Sequence, residues 1–153
     1  MIRKTMIVLL LLASVTTSVS AQEVNGWKLF AAVKFETKFI KKENQYFLSP
    51  VFDEKILSKV GTEVTITGYY MPFQMPKNAM ILSFNPYSSC FFCGGAGPES
   101  VVEVILKTNA PKLRVDQVLN VRGKLKLNGS DVEHMNFILE DAEILPKDKS
   151  INK

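Results

Sequence analysis

The fold of this chain is decided by two stretches, Val64-Thr-Ile-Thr-Gly-Tyr-Tyr70 and Leu119-Asn-Val-Arg-Gly-Lys-Leu125. Apolar and polar residues alternate in both, and this period of two predicts half-buried β-strands. Each strand carries one internal glycine, Gly68 or Gly123. A glycine inside a strand is typical of a bulge or a sharp bend, and such bends allow a small sheet to coil into a barrel.

The same period extends over most of the chain. It predicts four further strands, at 27–39, 45–48, 100–107 and 135–145, and the short apolar run at 79–84 predicts a fifth, buried in the centre of the sheet. The segment Pro50–Val60 has helical spacing instead, and Gly61 suits the end of a helix. Seven strands with one short helix predict a mainly β protein, a small OB-like (Greek-key) β-barrel, with a β-sandwich as the alternative.

The first 21 residues have the organisation of a signal peptide. Arg3 and Lys4 precede the apolar run Met6–Ala13, and small residues lead to a cleavage site between Ala21 and Gln22. The run is shorter than the roughly 20 residues of a membrane span. We therefore predict an exported protein, periplasmic or secreted, with a single β-barrel domain at 22–145 and a flexible C-terminal tail at 146–153.

Composition narrows the class of protein. The chain has 153 residues, 46% hydrophobic and 22% charged, which is typical of one globular domain. Removal of Arg3 and Lys4 leaves 17 basic and 15 acidic residues, a small surplus that argues against nucleic acid as a partner. The sequence has one histidine and neither a phosphate loop nor a nucleophile elbow, so we predict no catalytic residue and no enzyme activity.

The segment 86–98 differs from the rest of the chain. It holds both cysteines, Cys90 and Cys93, and a set of residues that we predict to shape the loop: Gly94, Gly95, Gly97 and Pro98. Long irregular loops within compact domains often carry function. Export would place the two thiols in an oxidising compartment, where disulfides persist.

Four interpretations of the cysteine pair remain open. They are a structural disulfide, a soft-metal site, a dithiol redox centre, and inert thiols packed under the loop. The redox interpretation is disfavoured because the segment Gly94–Pro98 does not continue a helix whose dipole would activate a thiol.

A metal site would need more donors than the two thiols. His134 is the candidate third ligand, and a fourth would be Glu99, a water or the same loop of a second subunit, which would make a metal-bridged homodimer. Zinc and copper are the candidate ions, and copper(I) tolerates fewer and softer ligands. Four methionines, Met71, Met75, Met80 and Met135, are more typical of core packing than of ligation.

Four segments resemble a family of small bacterial exported proteins, the domain of unknown function DUF3299. They are Gly68-Tyr-Tyr-Met-Pro72, Ile81-Leu-Ser-Phe-Asn-Pro-Tyr87, Cys90 and Pro98-Glu-Ser-Val-Val-Glu-Val104, and the resemblance covers roughly Val60–Leu127. Cys90 falls on the family's cysteine. The family continues Cys-x-His, whereas Phe92 stands at that histidine position and Cys93 follows it. The exchange keeps two soft ligands within one turn and favours metal over disulfide.

The resemblance implies an accessory of envelope transport systems. We therefore predict an exported, non-enzymatic accessory protein that binds zinc or copper through Cys90, Cys93 and His134 and docks on an envelope transporter or another membrane protein. One alternative is a β-barrel interaction module whose cysteines form a structural disulfide. The other is a thiol–disulfide redox protein.

Overall fold

Strands dominate the part of the chain that the computed structural model describes, residues 24–146. The strands are β1 (Val24–Asn25), β2 (Lys34–Ile40), β3 (Gln45–Val51), β4 (Glu63–Met71), β5 (Ala79–Ser83), β6 (Val101–Leu106), β7 (Val118–Leu127) and β8 (Phe137–Leu145). The helices are α1 (Gly26–Phe30) and α2 (Glu54–Leu57), with single 3-10 turns at Tyr87–Ser89, Phe91–Cys93 and Pro98–Ser100.

Two predictions concern the ends of the chain. The signal peptide with its Ala21–Gln22 cleavage site, and the tail after Pro146, lie outside the described residues. Between residues 24 and 146, no helix has the length and apolar character needed to cross a membrane.

Five strands close into a barrel. β4 pairs with β5 and β5 with β6, both antiparallel, while β8 lies between β6, to which it is parallel, and β7, to which it is antiparallel. The barrel closes where β7 pairs with β4, from Glu63↔Lys124 to Tyr69↔Val118. The order β4-β5-β6-β8-β7-β4 is the Greek-key order of the OB type. The predicted small β-barrel is confirmed, in preference to the β-sandwich.

Alternate residues of the barrel strands fill its interior. Leu82 of β5 and Val104 of β6 point inward and are fully buried, as the period of two requires. Phe30 of α1 stacks on Phe137 of β8, with ring centroids 4.1 Å apart. Helix α1 therefore contributes directly to the barrel core.

Helix α1 replaces the first half of a predicted strand. The sequence predicts one strand over 27–39, but residues Gly26–Phe30 are helical and β2 begins only at Lys34. The Asn25 side chain accepts a hydrogen bond from the Lys28 N–H at 3.3 Å and so caps the helix. Two consecutive residues, Leu29 and Phe30, are buried, which a half-buried strand does not allow.

The predicted helical segment at 50–60 is shorter in the structure. Strand β3 continues to Val51, and α2 covers only Glu54–Leu57. Asp53 caps this helix, since its side chain accepts a hydrogen bond from the Ile56 N–H at 3.0 Å. The helix is capped at Ser58, so the prediction that Gly61 ends it is wrong; Gly61 has a left-handed φ of 77° in the turn before β4.

The two strand glycines have different roles. The β7–β8 register shifts between Arg122 and Lys124, so Gly123 lies at a bulge as predicted. Gly68 pairs in register with Leu119. A Cβ atom at Gly68 would lie 2.8 Å from the Ser83 carbonyl oxygen, so this glycine serves a close strand approach instead.

The hairpin β2–β3 forms a second sheet of its own. Phe35 anchors it to the barrel through an edge contact with Phe137, at a centroid distance of 6.5 Å. Farther out, Phe39 and Tyr46 are paired across the strands with ring centroids 5.0 Å apart, and both are exposed. The hairpin therefore presents an apolar surface next to the barrel.

Candidate functional site

The cysteine loop covers the outer face of the barrel. Ile81 of β5 and Val101 of β6 point outward, yet both are buried because the loop lies over them. Together with Met71 and Cys90 they form a second apolar cluster, which we call the outer cluster. Five half-buried side chains complete it: Tyr69, Phe73, Met75, Phe91 and Met135.

The two thiols of this loop are neighbours. Cys90 is fully buried in the outer cluster and Cys93 is exposed, while their Sγ atoms lie 3.9 Å apart. The 3-10 turn Phe91–Cys93 sets this spacing, since the Cys93 N–H donates to the Cys90 carbonyl oxygen at 3.1 Å. A disulfide needs about 2.05 Å between sulfurs, so the two thiols are not bonded to each other in this structure.

Small residues allow the loop to fold back after the thiols. Gly94 has a left-handed φ of 74°, which side chains disfavour. A Cβ atom at Gly95 would lie 2.6 Å from the Ser89 carbonyl oxygen, so the two sides of the loop touch at their backbones. Gly97 then leads into the 3-10 turn that the buried Pro98 begins.

The environment of Cys93 keeps it protonated. Contact with the Cys90 thiol, followed by desolvation, raises the pKa of Cys93 above its ordinary value of 9.0. Its sulfur also lies 3.3 Å from the carbonyl oxygen of Tyr87, which a thiol can approach as a donor. An activated nucleophilic thiol requires the opposite shift in pKa.

His134 is engaged with a buried carboxylate. Its Nδ1 lies 3.0 Å from each oxygen of Glu103, a side chain that is buried on the outer face of β6. The Met135 N–H donates to the same carboxylate at 3.2 Å. Glu103 therefore ties the loop between β7 and β8 to the barrel wall.

The predicted ligands are only partly brought together. Cys90 and Cys93 are adjacent, but within residues 24–146 no three or more His, Cys, Asp or Glu side chains converge as a metal-binding group. His134 faces Glu103, and Glu99 lines a different cleft, beside Trp27 and Phe84. Neither is therefore a third protein ligand to the thiols in this arrangement.

Glu103 is a polar residue of this region that sequence reasoning did not single out. A signal for Glu103 exists, since it is the one charged residue inside the apolar strand Val101–Leu106 and has the outward parity of Val101. The partner of an outward carboxylate depends on a loop more than 30 residues away, as its contact with His134 shows. The alternation of apolar and polar residues along β6 therefore cannot predict the contact between Glu103 and His134.

A cleft of about 280 Å³ opens beside the outer cluster. The hairpin β2–β3 forms one wall, and the cysteine loop and the loop before β8 form the others. Its lining includes Ile40, Phe47, Phe91, Val101, His134 and Met135. The cleft gives solvent a path to the part of the outer cluster that Met135 covers.

No protein-family model and no curated protein matches this chain. The resemblance to DUF3299 stays a prediction.

Proposed function

We propose that this protein is an exported, non-enzymatic accessory protein that binds a soft metal ion through Cys90 and Cys93. The observation that carries the proposal is the Sγ–Sγ distance of 3.9 Å. Two sulfurs bound at about 2.3 Å to one tetrahedral ion lie about 3.8 Å apart. The dithiol thus already has the spacing that a single ion requires.

The unequal exposure of the thiols supports the same function. Cys90 is buried among apolar groups, which shield a bound ion from water, and Cys93 is exposed, which lets the ion enter and leave. Binding must displace the thiol protons, so affinity rises with pH. A half-open site of this kind suits a protein that passes its ion to a partner.

The partner we propose is an envelope transporter or another membrane protein. The exposed apolar face of the hairpin, formed by Phe39, Tyr46 and Leu48, is the surface that supports docking. Exposed Cys93 supports a second mode of assembly, in which the loops of two chains share one ion as a metal-bridged homodimer.

The same hairpin face favours the alternative function, a β-barrel interaction module whose cysteines form a structural disulfide. That function requires the two sulfur atoms to approach from 3.9 Å to about 2.05 Å. The thiol–disulfide redox function is the least supported, because the pKa of Cys93 is raised rather than lowered.

Native mass spectrometry tests these functions directly. The full-length chain is expressed, recovered from the export compartment without chelator, and compared with the Cys90→Ser and Cys93→Ser variants and with Ser88→Ala, a control in an exposed part of the same loop. We expect the wild type and the control to carry one metal ion and both cysteine variants to carry none.

Other masses would overturn the proposal. A wild-type mass short by two hydrogens, with no metal, indicates the disulfide and the interaction module. A metal ion retained in both cysteine variants places the site elsewhere. A mass that still includes residues 1–21 contradicts signal cleavage, and failure to recover the chain from the export compartment contradicts the export.

A further inference from the structure

Methionines gather around the buried cysteine. Of the four methionines between residues 24 and 146, Met71 lies within the outer cluster, and Met75 and Met135 pack against it. The fourth, Met80, points into the barrel core on the other side of the sheet. Alternation along β5 separates them, because Met80 faces inward and its neighbour Ile81, in register with Met71, faces outward.

Two of these methionines reach the cluster from separate parts of the chain. Met75 lies in the segment after β4, between Pro72 and Pro76. Met135 lies in the loop before β8, where its N–H donates to Glu103 at 3.2 Å. The burial of Glu103 on the barrel wall therefore fixes the backbone of Met135 beside the outer cluster.

The candidate donors that share the outer cluster with Cys90, or pack against it, are thus neutral thioether sulfur atoms. Thioethers are soft ligands that bind copper(I), whereas zinc in proteins takes thiolate, imidazole and carboxylate ligands. The only imidazole of the chain is turned to Glu103, with its Nδ1 3.0 Å from the carboxylate. The composition of the outer cluster therefore favours copper(I) over zinc.

We infer that the site is selective for copper(I), which it holds by the thiolates of Cys90 and Cys93 and by at least one thioether of Met71, Met75 and Met135. This inference rests on the proposed function and names its ion. The apolar surroundings, Ile81 and Val101 among them, keep water from the ion. Of the candidate thioether donors, Met135 lines the cleft beside the outer cluster.

Anaerobic competition titrations test the inference. Reduced full-length protein is titrated with copper(I) against bicinchoninate and, separately, with zinc against a chromophoric zinc chelator. The triple variant Met71→Leu, Met75→Leu, Met135→Leu removes the thioethers with little change in volume. Met80→Leu is the matched control, because this methionine packs inside the barrel.

We expect the triple variant to bind copper(I) about tenfold or more weakly than the wild type, with the zinc affinity of the two proteins equal. Met80→Leu should match the wild type for both ions. X-ray absorption of the copper(I) complex should give three or more sulfur neighbours in the wild type and two in the triple variant. Circular dichroism confirms that the variants are folded.

Failure of the inference is distinguishable from failure of the proposed function. Cysteine-dependent binding of copper(I) with equal affinity in the wild type and the triple variant, or with two sulfur neighbours in both, overturns the thioether ligands and leaves the metal function standing. Tighter binding of zinc than of copper(I) overturns the selectivity. Binding of neither ion by the wild type overturns the metal function itself.

Discussion

Glu103 and His134 face each other on the outside of the barrel, with both carboxylate oxygens 3.0 Å from the imidazole Nδ1. The Glu103 side chain is only 4% exposed, whereas that of His134 is 47% exposed. Burying a carboxylate costs free energy unless it is hydrogen-bonded. The contacts with His134 and the Met135 N–H offset that cost for Glu103. The pair fastens the loop between β7 and β8.

Removing the Glu103 carboxylate should loosen that loop. We expect Glu103→Ala to lower the free energy of unfolding by about 1–3 kcal/mol, because the Met135 N–H and His134 lose their acceptor. Hydrogen exchange at the Met135 amide should become faster. Glu133→Ala, an exposed glutamate of the same loop, should stay within about 0.5 kcal/mol. Equal effects of the two variants would contradict the role of Glu103.

The two cysteines should differ in their contribution to stability. Cys90→Ser places a hydroxyl group in the apolar outer cluster, and we expect it to cost about 1–3 kcal/mol in urea unfolding of the reduced protein without metal. Cys93→Ser alters an exposed side chain and should cost less than about 0.5 kcal/mol. A larger loss for Cys93→Ser would show that the loop does not bury Cys90.

The thiol of Cys93 should react slowly at neutral pH. Contact with Cys90 raises the pKa of Cys93, so the midpoint of its alkylation by iodoacetamide should lie above 9.0 in the reduced protein without metal. In Cys90→Ser the midpoint should move down towards the ordinary value, because the largest cause of the shift is gone. A wild-type midpoint near pH 7 would contradict this prediction and would favour the thiol–disulfide redox function.

Gly123 should tolerate no side chain. A Cβ atom there would lie 2.9 Å from the Cβ of Ala142 and 3.0 Å from the Glu140 carbonyl oxygen, at the bulge where the barrel bends. We expect Gly123→Ala to cost about 1–3 kcal/mol in unfolding experiments. Gly129→Ala is the control, since its Cβ atom would meet nothing nearer than 3.6 Å. It should change stability by less than about 0.5 kcal/mol.

Glu143 should make the barrel sensitive to acid. A hydrogen bond from Arg122, followed by the charge of Lys107, lowers the pKa of Glu143 below 4.5. The carboxylate is therefore stabilised by folding, and this contribution is complete above the unfolded pKa and is lost as the pH falls through the folded pKa. Thermal unfolding of Glu143→Gln should depend less steeply on pH below 4.5 than that of the wild type. Glu36→Gln, at an exposed position of the hairpin, removes the same charge and is the matched control.

The barrel was predictable because β4 and β7 alternate apolar and polar residues, while the unbroken apolar run of β5 indicates a strand buried on both faces. β7 lies at 118–127, the range that alternation indicates, and the bulge at Gly123 follows from a glycine inside a strand. Short helices were harder to recognise. Helix α1 has only five residues, which is too short for a helical spacing of apolar residues to be recognised. The sequence pattern therefore assigns its apolar Leu29 and Phe30 to a strand, whereas the structure shows the helix and its cap at Asn25.

The pairing of the two cysteines was predictable from the sequence, whereas the positions of the other candidate ligands were not. The spacing of Cys90 and Cys93 forces them into one turn, and the structure places them there. The position of His134 depends on β8 lying beside β6, and that pairing brings the loop to Glu103 rather than to the thiols. Met71 and Met80 are separated by the face of the sheet that each occupies, whereas Met75 and Met135 reach the outer cluster from loops whose paths the sequence does not show.

The topology also sets an order of assembly for a chain that emerges from its N-terminal end. Three of the four buried residues of the outer cluster, Ile81, Cys90 and Val101, are supplied by a segment of about twenty residues, and the fourth, Met71, lies about ten residues before it. Closure of the barrel must wait for β7, whose Lys124 pairs with Glu63 across a far longer separation. Contacts between near neighbours in the chain form faster than distant ones. We therefore expect the dithiol and its buried surroundings to assemble while the barrel is still open, and Met135 to be added last.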